Sequence, residues 1–379
     1  MNIKKPVCFF YQRSFSGYNK ELFERLSATS DFDIKFYFDK NPSNITANLD
    51  FTVSDSIVIY SGVNRSKIPF EVYCSKAFLK DVVRVRPMLV ISEDGGNIIN
   101  NFILVVLKKI CNVKLILWGL GSIRNREQSL PRKLIQRVVV FCWRQANFVF
   151  AYSSFGVKTY VSGGVAPNKV LNITNALAGS TADWKLLIEN RTKRNNQEKL
   201  NLIFVGQLIY SKRVDLLIDA LMLLADESTE LSRRLKLIIV GDGRCRESLE
   251  RLAMNVEAID IEFRGSLFGD ELDRALAASH IGVLPGEGGL AINTFLSRGL
   301  PVLAGNHAGD GTELDLIADG FNGLFFEDGN ATSLAQCIAN ADAQYLGLSA
   351  NVKASVESLP TTTKQAELMN KVITRMRES

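Results

Sequence analysis

Histidine is nearly absent from this chain, occurring only at His280 and His307 among 379 residues. That leaves too few imidazoles for a His-rich metal site and little for any mechanism built on a His–Asp pair. The six cysteines, Cys8, Cys74, Cys111, Cys142, Cys245 and Cys337, show no C-x-x-C spacing. They read as buried thiols of a reducing compartment, not as a disulfide or zinc framework. Long hydrophobic runs are lacking too: FILVVL at 102–107 and VVVFCW at 138–143 fall far short of the roughly 20 residues of a membrane-spanning helix. No low-complexity segment interrupts the chain. Lys4 and Lys5 lead into VCFFYQR, without the long apolar stretch and small-residue cleavage site of a secretory signal. The expectation is a cytoplasmic protein.

What is present is an ordinary globular composition, 46% hydrophobic and 22% charged, in a chain long enough for two cores. The charge is uneven. Residues 1–180 hold 24 Lys and Arg against 12 Asp and Glu, leaving 21 against 28 for the remainder, so the first part is strongly basic and the second acidic. Much of the excess lies at Lys108, Lys109, Lys114, Arg124, Arg126, Arg132, Lys133, Arg137 and Arg144, interleaved with Ile123, Leu130, Leu134, Ile135, Val138, Phe141 and Trp143. A basic helix with such an apolar face suits a peripheral protein lying on an anionic membrane. The same pattern also suits a solvated helix packed into its own domain. No nucleic-acid recognition module accompanies the charge, so nucleic acid is not expected as a partner.

Both halves alternate strand with helix, the pattern of doubly wound α/β domains. Strands are predicted at 6–11, 32–38, 56–60, 88–92, 113–118, 147–151 and 169–173, and then at 201–205, 235–241, 260–264, 281–284, 301–304 and 323–326. Helical patterns fall at 18–28, 70–80, 97–110, 131–145 and 153–163. A single buried stripe is predicted for 214–224, through Val214, Leu217, Ile218, Leu221 and Leu224. The polar stretch ENRTKRNNQEKL at 189–200 breaks the alternation. The division is a first domain at 1–178, a linker region at 179–200 and a second domain at 201–360. The helical segment 361–379 is expected to return and brace the first domain.

Gly-containing turns that precede helices offer backbone N–H groups to phosphate oxygens. They occur at Gly206–Lys212, Gly241–Gly243 and Gly286–Leu290. Lys212 reads either as the cation facing a diphosphate or as an exposed lysine at a helix start. Glu287 lies between Pro285-Gly286 and Gly288-Gly289, where a carboxylate can grip sugar hydroxyls or be a plain loop acid. Gly289 permits close backbone approach. Asn293 and Thr294 either bond the ligand or serve their own helix. Ser266 and Leu267, following the strand at 260–264, and Leu290 complete the expected donor side. In the first half, Arg13, Glu93 and Asn175 sit at predicted strand ends.

These motifs resemble the retaining glycosyltransferases of family 4, GT-B enzymes that use nucleotide sugars, and especially the bacterial polysaccharide-assembly members with PG-x-x-GL before a helix and GxPV. The similarity is clear over 201–340. In that family a Gly-Arg pair, followed five residues later by Lys, contacts the diphosphate. Here Gly206, Gln207 and Lys212 stand in those places, so the lysine carries over and the arginine does not. Glu287 matches the first of two family glutamates once a one-residue gap is allowed. Thr294 falls where the second, usually a ribose contact, would be. Glu313, in TELDLIADGFNG, matches a recurrent acid. Trp118-Gly-Leu120-Gly stands where many relatives read WGHG, so Leu120 replaces a histidine thought to touch the sugar. Gly17-Tyr18 stands in place of a double glycine. Arg13, Gly17, Tyr18, Glu93, Trp118 and Leu120 are thus the candidates for an acceptor side.

The resemblance implies a GT-B fold of two Rossmann-like domains facing across a cleft. It implies an enzyme, peripheral on the anionic cytoplasmic face of the inner membrane, that moves a hexosyl unit, with retention, from a UDP- or GDP-linked sugar to a lipid-linked oligosaccharide in surface polysaccharide (O-antigen or capsule) synthesis. No cofactor or metal is expected, since no Asp-x-Asp motif lies where a cation would bridge the phosphates. Two other readings stay open: a GT-B sugar-nucleotide epimerase, and a degenerate sugar-nucleotide-binding subunit, the latter motivated by Gln207, Thr294 and Leu120.

Overall fold

A computed structural model of the protein describes residues 5–13, 19–39, 57–60, 74–95, 97–121, 130–176, 181–189, 199–227, 230–306 and 312–378. The chain divides into two compact units, Met1–Ala178 with Thr362–Ser379, and Gly179–Thr361.

The first unit runs β1 (Val7–Gln12), α1 (Lys20–Thr29), β2 (Asp33–Asp39), β3 (Ile57–Tyr60), α2 (Lys76–Val85), β4 (Leu89–Glu93), α3 (Ile98–Ile110), β5 (Lys114–Gly119), α4 (Leu130–Gln145), β6 (Phe148–Ala151), α5 (Ser154–Ser162) and β7 (Val170–Asn172). Its seven strands form one parallel sheet in the order β3-β2-β1-β4-β5-β6-β7. Helices cover both faces, so the central strands are near-continuous apolar runs rather than alternating ones. One face carries Phe10, Phe23, Phe36 and Trp118, all fully buried. The opposite face carries Phe9, Tyr11, Phe78, Leu104, Trp143 and Tyr160.

The second unit runs α6 (Thr181–Glu189), β8 (Leu200–Val205), α7 (Val214–Asp226), α8 (Glu230–Arg234), β9 (Leu235–Val240), α9 (Arg246–Ala253), β10 (Asp260–Gly265), α10 (Gly269–Ala277), β11 (Ile281–Leu284), α11 (Ala291–Ser297), β12 (Val302–Gly305), β13 (Gly323–Phe326) and α12 (Ala331–Ser355). Its six strands are parallel in the order β10-β9-β8-β11-β12-β13. The predicted stripe of α7 is buried, and Leu216 and Ala220 are buried with it, because α12 packs on the same helix. The segment read as a linker contains α6. Its Trp184 is buried, and a Cβ added to Gly299 would come within 2.9 Å of Ile188. That close fit holds the helix against the end of α11.

The last helix, α13 (Thr362–Glu378), belongs to the first unit. It sets Ala366, Met369, Val372 and Ile373 into the core beside α1. Asn370 donates to Thr29 Oγ1 at 2.6 Å and Lys114 Nζ to the Met376 carbonyl at 2.5 Å. Among the described residues, no helix is long and apolar enough to cross a membrane.

Candidate functional site

In each sheet the order of connection reverses once, between β1 and β4 in the first unit and between β8 and β11 in the second. Loops leaving the carboxyl ends of such a strand pair diverge to opposite faces of the sheet, which opens a crevice where α/β folds hold their ligands.

At the β8/β11 switch point the two loops are bonded together. A 3-10 turn, Tyr210–Lys212, follows β8, and the Ser211 carbonyl accepts from the Glu287 N–H at 2.8 Å. Lys212 Nζ donates to the carbonyls of Glu287 at 2.8 Å and Gly288 at 2.5 Å. Contact this tight requires Gly286, since a Cβ there would lie 2.4 Å from the Ser211 carbonyl oxygen. Gly289 has φ 146, a conformation that favours glycine, and any Cβ on it would point at Lys212 Nζ, 3.8 Å away. Glu287, Gly289 and Leu290 are half-buried. The arrangement places one ammonium, one carboxylate and a glycine-rich backbone around a single loop junction.

The neighbouring loops are stacked through backbone. Gly206 donates to the Val240 carbonyl, Gly241 to Gly265, and Leu208 to Asp242. Gly241 has φ 143, and a Cβ there would sit 1.8 Å from the Gly206 carbonyl oxygen. Gln207 is exposed, as is Ser266, while Leu267 is half-buried. The last two follow β10, the edge strand, two strands away from β8. Arg213, next to Lys212, takes the left-handed φ of 50 and begins α7. Its guanidinium pairs with Asp215 at 3.2 Å.

On sequence alone, two donor-side residues are open between contacting a ligand and serving their own helix. Thr294 Oγ1 donates to the Leu290 carbonyl at 2.9 Å, one turn back in its own helix, so its hydroxyl serves α11. Asn293 is only 3% exposed. The backbone of Glu313 lies in a 3-10 turn, Thr312–Leu316, and its side chain is outside the described residues.

In the first unit the β1/β4 switch point is also bridged: the Arg13 N–H donates to Glu93 Oε2 at 2.6 Å. The Glu93 carbonyl accepts from Asn97 and Asn101 side chains, which fixes the end of β4. Gly17 and Tyr18 lie outside the described residues. Leu120 is 39% exposed beyond β5, whereas Trp118 is wholly buried, packed edge-on against Phe10 at 4.8 Å. The expectation that Trp118 meets an acceptor is therefore corrected: strand alternation turns it into the core. Asn175 is half-buried after β7.

Sequence reasoning missed a buried acid beside this point. The Asp94 carboxylate accepts from Trp143 Nε1 at 2.8 and 2.9 Å and from the Tyr160 hydroxyl at 2.9 Å. Burial pushes its pKa up to about 6, against the pull of those two hydrogen bonds. Gly119 makes room for it, because a Cβ there would be 2.7 Å from Asp94 Cβ. The only linear signal is an acid at a strand end, since its partners lie 49 and 66 residues away.

Residues 199–341 match the family model described as glycosyl transferases group 1. A sulfoquinovosyl transferase of Arabidopsis thaliana is 23% identical over 282 residues, covering 70% of this chain and 51% of that protein. An uncharacterized protein in the cps region of Klebsiella pneumoniae is 26% identical over 206 residues, covering 52% of each chain. The chain thus spans about half the length of the curated relatives it matches. Among solved structures, Anabaena HepE in complex with UDP superposes with a TM-score of 0.71 at 16% identity, covering 98% of this chain and 100% of that one. The lipopolysaccharide outer core galactosyltransferase WaaB gives 0.69 at 14% identity, covering 97% and 99%. Two doubly wound Rossmann-like units are the GT-B fold, and this chain has it.

Proposed function

We propose that the protein is a glycosyltransferase that moves a hexosyl unit from a nucleoside diphosphate sugar to a lipid-linked saccharide during surface polysaccharide assembly. The observation that carries this reading is the junction at the β8/β11 switch point, where Lys212 is bonded to the 287–288 backbone inside the stretch that matches the family model. HepE, solved with UDP and with UDP-glucose, supports a uridine nucleotide as the first donor to try. WaaB, a lipopolysaccharide outer core galactosyltransferase, supports a saccharide acceptor of that kind.

In this reading Lys212 faces the diphosphate. Sugar transfer leaves growing negative charge on the departing phosphate, and a fixed ammonium in a partly desolvated loop stabilises that charge without a metal. Glu287 grips a sugar hydroxyl, and the Gly288-Gly289 backbone lets the donor approach closely. The leaving phosphate takes the acceptor proton on the front face, which gives retention and asks nothing of histidine.

The test is transfer of labelled sugar from UDP-, GDP- and dTDP-sugars into a lipid extract, with and without EDTA. Product that survives EDTA and keeps the donor's anomeric configuration is expected. An epimer formed from donor alone would instead indicate the epimerase, and donor binding with no transfer to any acceptor would indicate a binding subunit.

A further inference from the structure

In the first unit α3 and α4 pack side by side, joined by the Phe102 and Phe141 rings at 6.2 Å and by Lys108 Nζ, which donates to the Gln145 carbonyl at 2.6 Å. Their inward residues, Leu104, Val105, Cys142 and Trp143, fill the core. Their outward faces are also apolar. Ile99, Phe102, Val106 and Ile110 recur at steps of three, four and four along α3, and Ile110 is 70% exposed. On α4, Leu134 is 63% and Phe141 42% exposed. Side chains of this size, gathered on two neighbouring helices, mark an interaction surface rather than scattered exposure.

The charge around the patch identifies its partner. Neither α3 nor α4 contains Asp or Glu, and Lys109, Lys133 and Arg137 are exposed on them. A protein partner with an apolar face would meet three cations with no local counter-charge. An anionic bilayer offers phosphates to the cations and an acyl boundary to the rings. We propose that the α3–α4 face docks on an anionic lipid bilayer, with Phe102, Val106, Ile110, Leu134 and Phe141 entering the headgroup boundary and Lys109, Lys133 and Arg137 meeting lipid phosphates. The basic helix of the sequence is thus both packed and exposed, and α3, of which the charge pattern picked out only Lys108 and Lys109, supplies most of the apolar contact. The inference goes beyond the transfer reaction and is read by a separate assay.

The experiment is flotation of the full chain with phosphatidylcholine vesicles, with and without phosphatidylglycerol. Wild type is expected to float only with the anionic vesicles, to lose most binding as salt rises and to keep a salt-resistant remainder. Reversing Lys109, Lys133 and Arg137 to Glu should weaken partitioning on the order of a hundredfold or more, since each cation near such a surface is worth about fivefold. Phe102→Ser with Phe141→Ser should abolish the salt-resistant remainder. The charge-reversed variant changes exposed positions and should melt like wild type, whereas the double Ser variant gives up the Phe102–Phe141 contact and should keep the far-UV circular dichroism spectrum of wild type with a lower melting temperature. UDP titrations of both should match wild type and separate this outcome from any failure of the donor site. Wild type that ignores anionic vesicles would overturn the proposal. So would a charge-reversed variant that floats like wild type, or a dimer in solution that the Phe variant dissociates.

Discussion

Glu287 enters the site with its backbone committed on both sides, its N–H to Ser211 and its carbonyl to Lys212. That fixes where its half-buried carboxylate begins. Glu287→Gln keeps the shape and removes the charge that strengthens a hydrogen bond to a sugar hydroxyl. Donor KM should rise about tenfold, in line with the 1–2 kcal/mol by which a charged hydrogen bond exceeds a neutral one, with little change in melting temperature. Unaltered donor kinetics would return Glu287 to a plain loop acid. Asp94 makes a different residue-scale claim. Its folded pKa, about 6, lies above the roughly 3.9 of an unfolded aspartate, so the folded state holds the extra proton between those values. Stability from this group is full below about pH 4 and falls as pH rises through 6, by about 3 kcal/mol. Asp94→Asn removes that titration. Urea melts should therefore show the variant gaining on wild type between pH 4 and 7, and a difference that does not change with pH would refute the assignment.

At the scale of elements, the sequence located nearly every strand, because buried parallel strands are short apolar runs that break at Gly or Pro. VCFFYQ, LKLIIV and IGVL are such runs and became β1, β9 and β11. The loop positions of Lys212 and Glu287, past the ends of β8 and β11, follow from those strands. The illegible parts depend on contacts distant in sequence. Asp94 meets Trp143 and Tyr160 only after three crossovers fold, and Trp118 is turned inward by strand register. Helix α6 was missed because residues it packs on, Gly299 among them, lie far along the chain. The loop junction gives an element-scale prediction. Gly286→Ala would drive a methyl into the Ser211 carbonyl and part the two loops, at a cost of about 1–3 kcal/mol. Titration with UDP should show affinity lowered at least tenfold, and unchanged affinity would mean that the two loops need not touch for the ligand to bind.

For the molecule as a whole, the uneven distribution of charge and the return of α13 matter most. The chain leaves its first unit, builds the second and comes back to finish the first, so neither unit's core is closed until residue 361 has passed. Burying Met369, Val372 and Ile373 is worth about 1.5–3 kcal/mol for each side chain, comparable in sum with the 5–15 kcal/mol by which a domain is stable. A chain ending at Thr361 should therefore lose the first unit and keep the second. Limited proteolysis would then leave a resistant fragment near 179–361, whereas equal resistance of both units would show that α13 is dispensable. The central claim is nucleotide-sugar binding at the β8/β11 switch point, with Lys212 on the diphosphate. Calorimetric titration of UDP and UDP-glucose into wild type and Lys212→Ala tests it most directly. The account predicts saturable binding to wild type and a loss of at least tenfold in Lys212→Ala, with the fold intact, in keeping with about 1.5–3 kcal/mol for a hydrogen bond to a charged group. Equal affinity in the two proteins, or no binding of any UDP-, GDP- or dTDP-sugar to wild type, would contradict it.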